Sequence, residues 1–204
     1  MRSLKEDGPR PYTLRARADK QAETHRILAE AAYALHTTVG PAKATISAIA
    51  EKAGVQRLTV YRHFPDQEAI FAACTAHSFA KDPPPNPETW RGVADPAERL
   101  RTALGELYGY YRRNERLLLN LYHDAELPVV AAALARRTEL LARGAAILRE
   151  GWTPKGRNEA RLLPAALSHG LDFAAWRTLS VDSKVEDTDI IELMLRLVES
   201  LVRS

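Results

Sequence analysis

The chain has 204 residues, 46% of them apolar or aromatic, enough for one or two hydrophobic cores without a disulfide framework. Its single cysteine, Cys74, can neither close an intrachain bridge nor build a cysteine-based zinc site. No run approaches the roughly 20 apolar residues of a membrane span, and the opening MRSLKEDGPRPYTLRARADK lacks the apolar core of a secretory signal, so the expectation is a soluble cytoplasmic protein with no membrane partner.

Net charge is +3, but it is unevenly placed. Residues 1–64 hold 11 Lys and Arg against 6 Asp and Glu, and residues 65–204 hold 18 against 20. A basic first third on a mildly acidic remainder suggests an end that faces a polyanion. The basic extension over residues 1–20, with Arg2, Lys5, Arg10, Arg15, Arg17 and Lys20, reads either as an arm that tracks phosphates or as a solvated tail diluted by Glu6, Asp7 and Asp19.

Almost every periodic stretch is helical. Ile27, Leu28, Ala31, Ala32 and Leu35 recur at helix spacing until Gly40. Thr45 caps a short helix carrying Ile46, Ile49 and Ala50, and Gly54 interrupts it. A third segment runs from Gln56 to Phe64. Pro65 stops it, and Asp66 can cap a fourth helix with Ile70 and Phe71 inward. Short helices joined by tight turns, with a glycine in the second turn, outline a helix-turn-helix domain over residues 21–81. Pro83, Pro84, Pro85 and Pro87 then forbid a continuous helix, and residues 82–95 read as a linker or a pocket-covering loop. Asp95-Pro96-Ala97-Glu98 is a strong start signal. From there the pattern predicts a helix over 96–113, another from about Asn114, a third from Pro128 to Glu150, and two more over about 159–180 and 187–203. The fold class is therefore all-α, about nine helices, with a larger C-terminal helical domain over residues 96–204.

The informative segment is residues 45–64. Thr45 puts a hydroxyl at a helix N-terminus, where free N–H groups attract phosphate. Gln56, Arg57, Leu58 and Thr59 occupy the first turn of the third helix, the turn that enters a major groove in helix-turn-helix proteins. Arg57 can offer a fork to guanine, Gln56 can read adenine and Leu58 can touch a thymine methyl. Thr59, Tyr61 and His63 are short or planar donors suited to phosphate oxygens.

Tyr61-Arg62-His63-Phe64-Pro65 followed by Asp66-Gln67-Glu68-Ala69-Ile70-Phe71, with Ala53-Gly54-Val55 just upstream, resembles the DNA-binding domain of the tetracycline-repressor (TetR) family. The likeness runs from about Glu23 to Ala73 and includes segments on all of the first three helices. It implies an all-helical homodimer. Two small N-terminal domains would sit in successive major grooves of a palindromic double-stranded operator, and the larger domain would hold an unknown small-molecule effector and the dimer interface. Carried over by position, it places Arg57, Leu58 and Thr59 toward bases and Thr45, Tyr61 and His63 toward phosphates. Ser47 falls where some members reach a base or a phosphate. The chain departs from the family's habit at Gln56, where a better cap is common, at Leu58, where a small residue is common, and at Gln67, where a Lys is common.

Ile190, Met194, Leu197 and Leu201 form a stripe on the last helix, and Leu167, Leu171 and Ala174 with Gly170 give the preceding helix a matching face. Such faces suit a symmetric four-helix interface between copies, the alternative being intramolecular core. Tyr108, Tyr111, Leu118, Tyr122, His123, Trp152, His169, Phe173 and Trp176 are candidates to line an effector cavity, against the alternative of ordinary core. His123-Asp124 with Glu126 does not make a metal site, because adjacent helical residues point different ways. No phosphate loop, nucleophile elbow or paired metal motif is present, so neither a cofactor nor catalysis is expected. The expectation is a ligand-responsive DNA-binding regulator, a repressor whose fourth helix, residues 66–80, moves when effector binds. The alternative is a helical module that sequesters a small molecule or protein and binds DNA weakly.

Overall fold

The computed structural model describes residues 11–203, with side chains from Arg15 onward, and glycine and proline punctuation divides these described residues into twelve short or long helical pieces. Two compact units result, one ending at Lys81 and the other beginning at Asp82. Among the described residues there is no strand beyond one isolated bridge, Pro154 to Val202. No described helix is long and apolar enough to cross a membrane.

In the first unit, α1 (Pro11–Thr38) leads through a 3₁₀ turn (Pro41–Lys43) to α2 (Ile46–Ala53), α3 (Arg57–His63) and α4 (Gln67–Lys81). Helix α1 begins inside the basic extension, so Arg15, Arg17 and Lys20 are exposed helical residues; Arg2, Lys5 and Arg10 lie outside the described residues. Leu28, Ala31 and Ala32 of α1 meet Ile49, Ala50, Val60, Phe64, Ile70 and Cys74 in one apolar core. Fully burying each large side chain here contributes roughly 1.5–3 kcal/mol. The start of α4 is fixed by Asp66, whose Oδ1 accepts from Ala69 N at 2.7 Å. The Cys74 thiol is buried against His36 Nδ1 at 3.1 Å, and burial pushes it up to about 12, which makes it unreactive at neutral pH.

The second unit contains α5 (Pro87–Trp90), α6 (Pro96–His123), α7 (Pro128–Arg149), α8 (Arg157–Gly170), α9 (Phe173–Arg177), a π-helical turn (Thr178–Asp182) and α10 (Asp187–Leu201). Three features differ from the sequence pattern. The proline-rich stretch holds α5, whose Trp90 is 1% exposed and donates its indole N–H to Glu106 at 2.8 Å. Helix α6 does not break at Asn114. The Asn114 amide donates to Tyr110 O and to Asp82, so the side chain is satisfied along the helix rather than across its start. The expected helix over 159–180 divides at Leu171-Asp172, where Asp172 Oδ1 accepts from Ala175 N and starts α9 afresh.

Buried Arg99 ties this unit together. Its guanidinium donates to Val93 O at 2.8 Å, Glu150 O at 2.9 Å, Ala94 O at 3.2 Å and Ile147 O at 3.4 Å. One side chain thereby satisfies carbonyls at the end of α7 and in the loop ahead of α6. Asp187 does similar work at the start of α10, accepting from Arg112, Trp176 and Ser180.

Candidate functional site

The helix-turn-helix is built by local signals. Thr45 is extended and its hydroxyl accepts from Ala48 N at 3.2 Å, fixing where α2 begins. Gly54 ends α2 at φ 67°, a left-handed conformation that glycine adopts freely. Val55 N then donates to Ala50 O at 2.9 Å, closing the turn. Gln56 makes no side-chain cap, so its amide stays available. Val60 is fully buried and sets the rotation of α3 about its axis. With Val60 inward, Gln56, Arg57, Leu58, Tyr61 and Arg62 are exposed, as are Thr45 and Ser47 next to and on α2.

Leu58 is 57% exposed and Tyr61 is 49% exposed, on a helix of only seven residues. Both lie beside the exposed Arg57 and Arg62, so apolar and cationic groups share this face. Thr59 and His63 are half-buried at the edges of this face. Burial and the neighbouring His25 hold His63 below its ordinary value, so it presents a neutral imidazole with one N–H at pH 7. The packing of the His25 ring against Phe64 at 4.7 Å orients this corner. Arg62, absent from the sequence-derived set, is exposed on the same short helix and adds a second cation.

The residues expected from sequence to meet DNA thus lie together around α3 and the start of α2. Residues 28–74 match the family model described as bacterial regulatory proteins, tetR family. The head is therefore similar to TetR-type DNA-binding domains over those residues. The match lies within the first unit, and structural likeness extends over most of the chain. A TetR-like transcriptional regulator from Rhodococcus sp. RHA1 superposes with TM-score 0.60 at 20% identity, covering 86% of this chain and 93% of that one. A candidate transcriptional regulator from Saccharomonospora viridis, solved with choline, gives 0.62 at 17% identity, covering 90% and 100%. AibR, solved with isovaleryl coenzyme A and operator DNA, gives 0.59 at 17% identity, covering 86% and 97%. At these identities the likeness is one of fold. No curated protein matches the chain.

In the second unit the aromatic candidates separate into two groups. Tyr108, Tyr111, Leu118, Phe173 and Trp176 are buried together in the core. Tyr108 OH donates to Gly170 O at 2.9 Å, and Tyr111 OH donates to Leu171 O at 2.5 Å. Burial raises both phenols well above their ordinary range. Tyr122 is 40% exposed and lies flat on Phe173, ring centroids 5.5 Å apart. Trp152 is half-buried, and His123 and His169 are exposed.

The sequence-derived dimer set separates too. Leu167, Leu171, Ile190 and Met194 are buried in the chain's own core. Helix α10 packs on α6 and on α8, which consumes the inner side of the stripe, so these four are not available to a second copy. Ala174 and Leu197 are exposed and Leu201 is half-buried. The accessible apolar face instead includes Leu162 on α8 and Leu193 on α10, with Leu197; neither Leu162 nor Leu193 stood out in sequence because the buried stripe beside each is stronger.

Proposed function

We propose that this protein is a sequence-specific DNA-binding regulator whose hold on an operator is set by a small molecule bound in the second unit. The observation that carries this reading is the outward first turn of α3, Gln56-Arg57-Leu58, backed by buried Val60 and flanked by the Thr45-capped start of α2. Arg57 reads guanine through its fork, Gln56 reads adenine, and Leu58 packs on a thymine methyl. Thr45, Ser47, Thr59, Tyr61 and His63 set register on the phosphates. A second copy, joined through Leu162, Leu193 and Leu197, gives two such heads and a palindromic site. The solved regulators, one with choline and another with isovaleryl coenzyme A and operator DNA, support an effector in the helical unit. Effector and operator oppose each other by the same factor, whichever binds first. The sign of regulation we propose is repression relieved by effector.

Selection of bound duplexes from a random pool, followed by anisotropy across salt, tests this. A defined palindrome and a steep salt dependence are expected. Arg57→Ala should cost about 1–3 kcal/mol and relax preference at one base position in each half-site. Undiminished affinity for the selected duplex would remove Arg57 from the reading role, and salt-insensitive or absent binding would favour sequestration.

A further inference from the structure

Helix α7 carries Val130, Leu134, Arg137, Leu141, Ala145 and Leu148 at helix spacing along one side. A cation therefore interrupts an otherwise apolar stripe. Arg137 Nε and Nη2 are buried and have no hydrogen-bond partner within the chain. Its guanidinium carbon lies 5.0 Å from the centroid of the Tyr111 ring. Among the described residues no carboxylate lies within ion-pair distance of it, whereas arginines elsewhere in the same unit, such as Arg101, Arg112 and Arg113, are paired. Asp172, which acts on the same Tyr111, is occupied as the cap of α9. The aromatic face of Tyr111 offsets part of the cost of this arrangement, but two buried donors of a half-buried arginine remain unsatisfied, which is unfavourable.

Nε and Nη2 are the two donors on one edge of the guanidinium, parallel and spaced to meet both oxygens of a carboxylate. Tyr111, over which the guanidinium lies, belongs to a stack of flat surfaces. Phe173 meets Tyr111 edge-on at 5.4 Å, Trp176 lies 5.5 Å from Tyr111, and Tyr122 covers Phe173 from the solvent side. We infer that the Nε/Nη2 edge of Arg137 anchors a small carboxylate whose planar apolar body lies against Tyr111, Phe173 and Tyr122. This names the effector class for the reading above and rests on that reading only for its regulatory meaning. The partly exposed Tyr122 is the ring that shifts to admit the ligand.

The test uses the full chain and four probes: phenylacetate, its neutral isostere phenylacetamide, acetate, and phenyl phosphate. Intrinsic tryptophan fluorescence and thermal shift read binding. Phenylacetate should bind saturably and at least about tenfold more tightly than phenylacetamide, with acetate weaker for want of a ring. Arg137→Gln should abolish the acid-over-amide preference while melting at or near the wild-type temperature, because Nε and Nη2 have no partner in the chain to lose. Arg137→Lys keeps the charge, loses the fork, and should lower the preference several-fold. Equal binding of acid and amide, no saturable binding of either, phenyl phosphate bound in preference to phenylacetate, or a preference that survives Arg137→Gln would each overturn the inference. If Arg137→Gln does not fold, the acid-to-amide ratio of the wild type and the Arg137→Lys variant still decide. Operator anisotropy separates the two readings. Phenylacetate that binds through Arg137 without weakening the operator complex supports the site and removes its regulatory role. Operator release by a neutral compound, with no carboxylate preference at Arg137, removes the site and leaves the regulator intact.

Discussion

Asp187 shows how one carboxylate organises a helix start. It accepts from Arg112 Nη2 at 2.7 Å and Nε at 3.0 Å, from Trp176 Nε1 at 3.0 Å and from Ser180 Oγ at 3.2 Å. Partial burial opposes its ionised form, but the donors from Arg112, Trp176 and Ser180 outweigh burial and hold the carboxyl below its ordinary value. A carboxyl whose folded pKa lies below its unfolded pKa contributes stability above about pH 4, and that contribution vanishes as pH falls through the folded value. The melting-temperature gap between wild type and Asp187→Asn should therefore be widest near neutral pH and should close below pH 4. A gap that stays constant down to pH 3 would show that the charge of Asp187 is not what matters. Arg99 works by a different principle, through four carbonyls rather than a carboxylate; neither residue stands out in sequence, because nothing local distinguishes a buried arginine from a solvated one.

Among the elements, α5 is held by an unusually close approach. A Cβ added at Gly144 of α7 would stand 2.8 Å from Trp90 Cζ3, closer than unbonded carbons tolerate, so glycine at this point lets the indole seat against α7. Gly144→Ala should destabilise the second unit by about 1–3 kcal/mol through overpacking, read as a lowered urea midpoint with unchanged slope; a variant as stable as wild type would mean that Trp90 moves aside freely. The head was legible in sequence because its signals are local: Thr45, Gly54 and Asp66 each set a helix end with its own atoms. The second unit was legible as helices but not as partnerships. An apolar stripe declares that a face is covered without declaring by what. Ile190 and Met194 are covered from within, by α6 and α8, and the outer residues Leu193 and Leu197 are what remain. The break at Asp172 escaped notice for a related reason, because an aspartate between apolar residues continues the helical period as well as it restarts it.

Across the whole molecule, the proposed activity needs two heads, and the proposal assigns the joining of two copies to the exposed leucines of α8 and α10. The double substitution Leu193→Glu with Leu197→Glu leaves the buried core of each chain alone and places charges on the outer face. It should halve the mass seen by light scattering and weaken binding to a two-half-site duplex by orders of magnitude, while a single half-site is bound as before. Unchanged mass would move the interface elsewhere.

Helix α1 spans 28 residues, about 42 Å at the usual rise, yet residues 15–23, Arg-Ala-Arg-Ala-Asp-Lys-Gln-Ala-Glu, are exposed on all sides and lie ahead of the first core residue, Leu28. These turns keep their shape through good helix formers and continuity with the packed half, without tertiary cover. They behave as a stiff, cationic spar whose winding is sensitive to temperature and ionic strength. Amide hydrogens there should trade with solvent long before those of Leu28 to Ala32 do, and a polyanion laid along the spar would slow that trade first at the arginines.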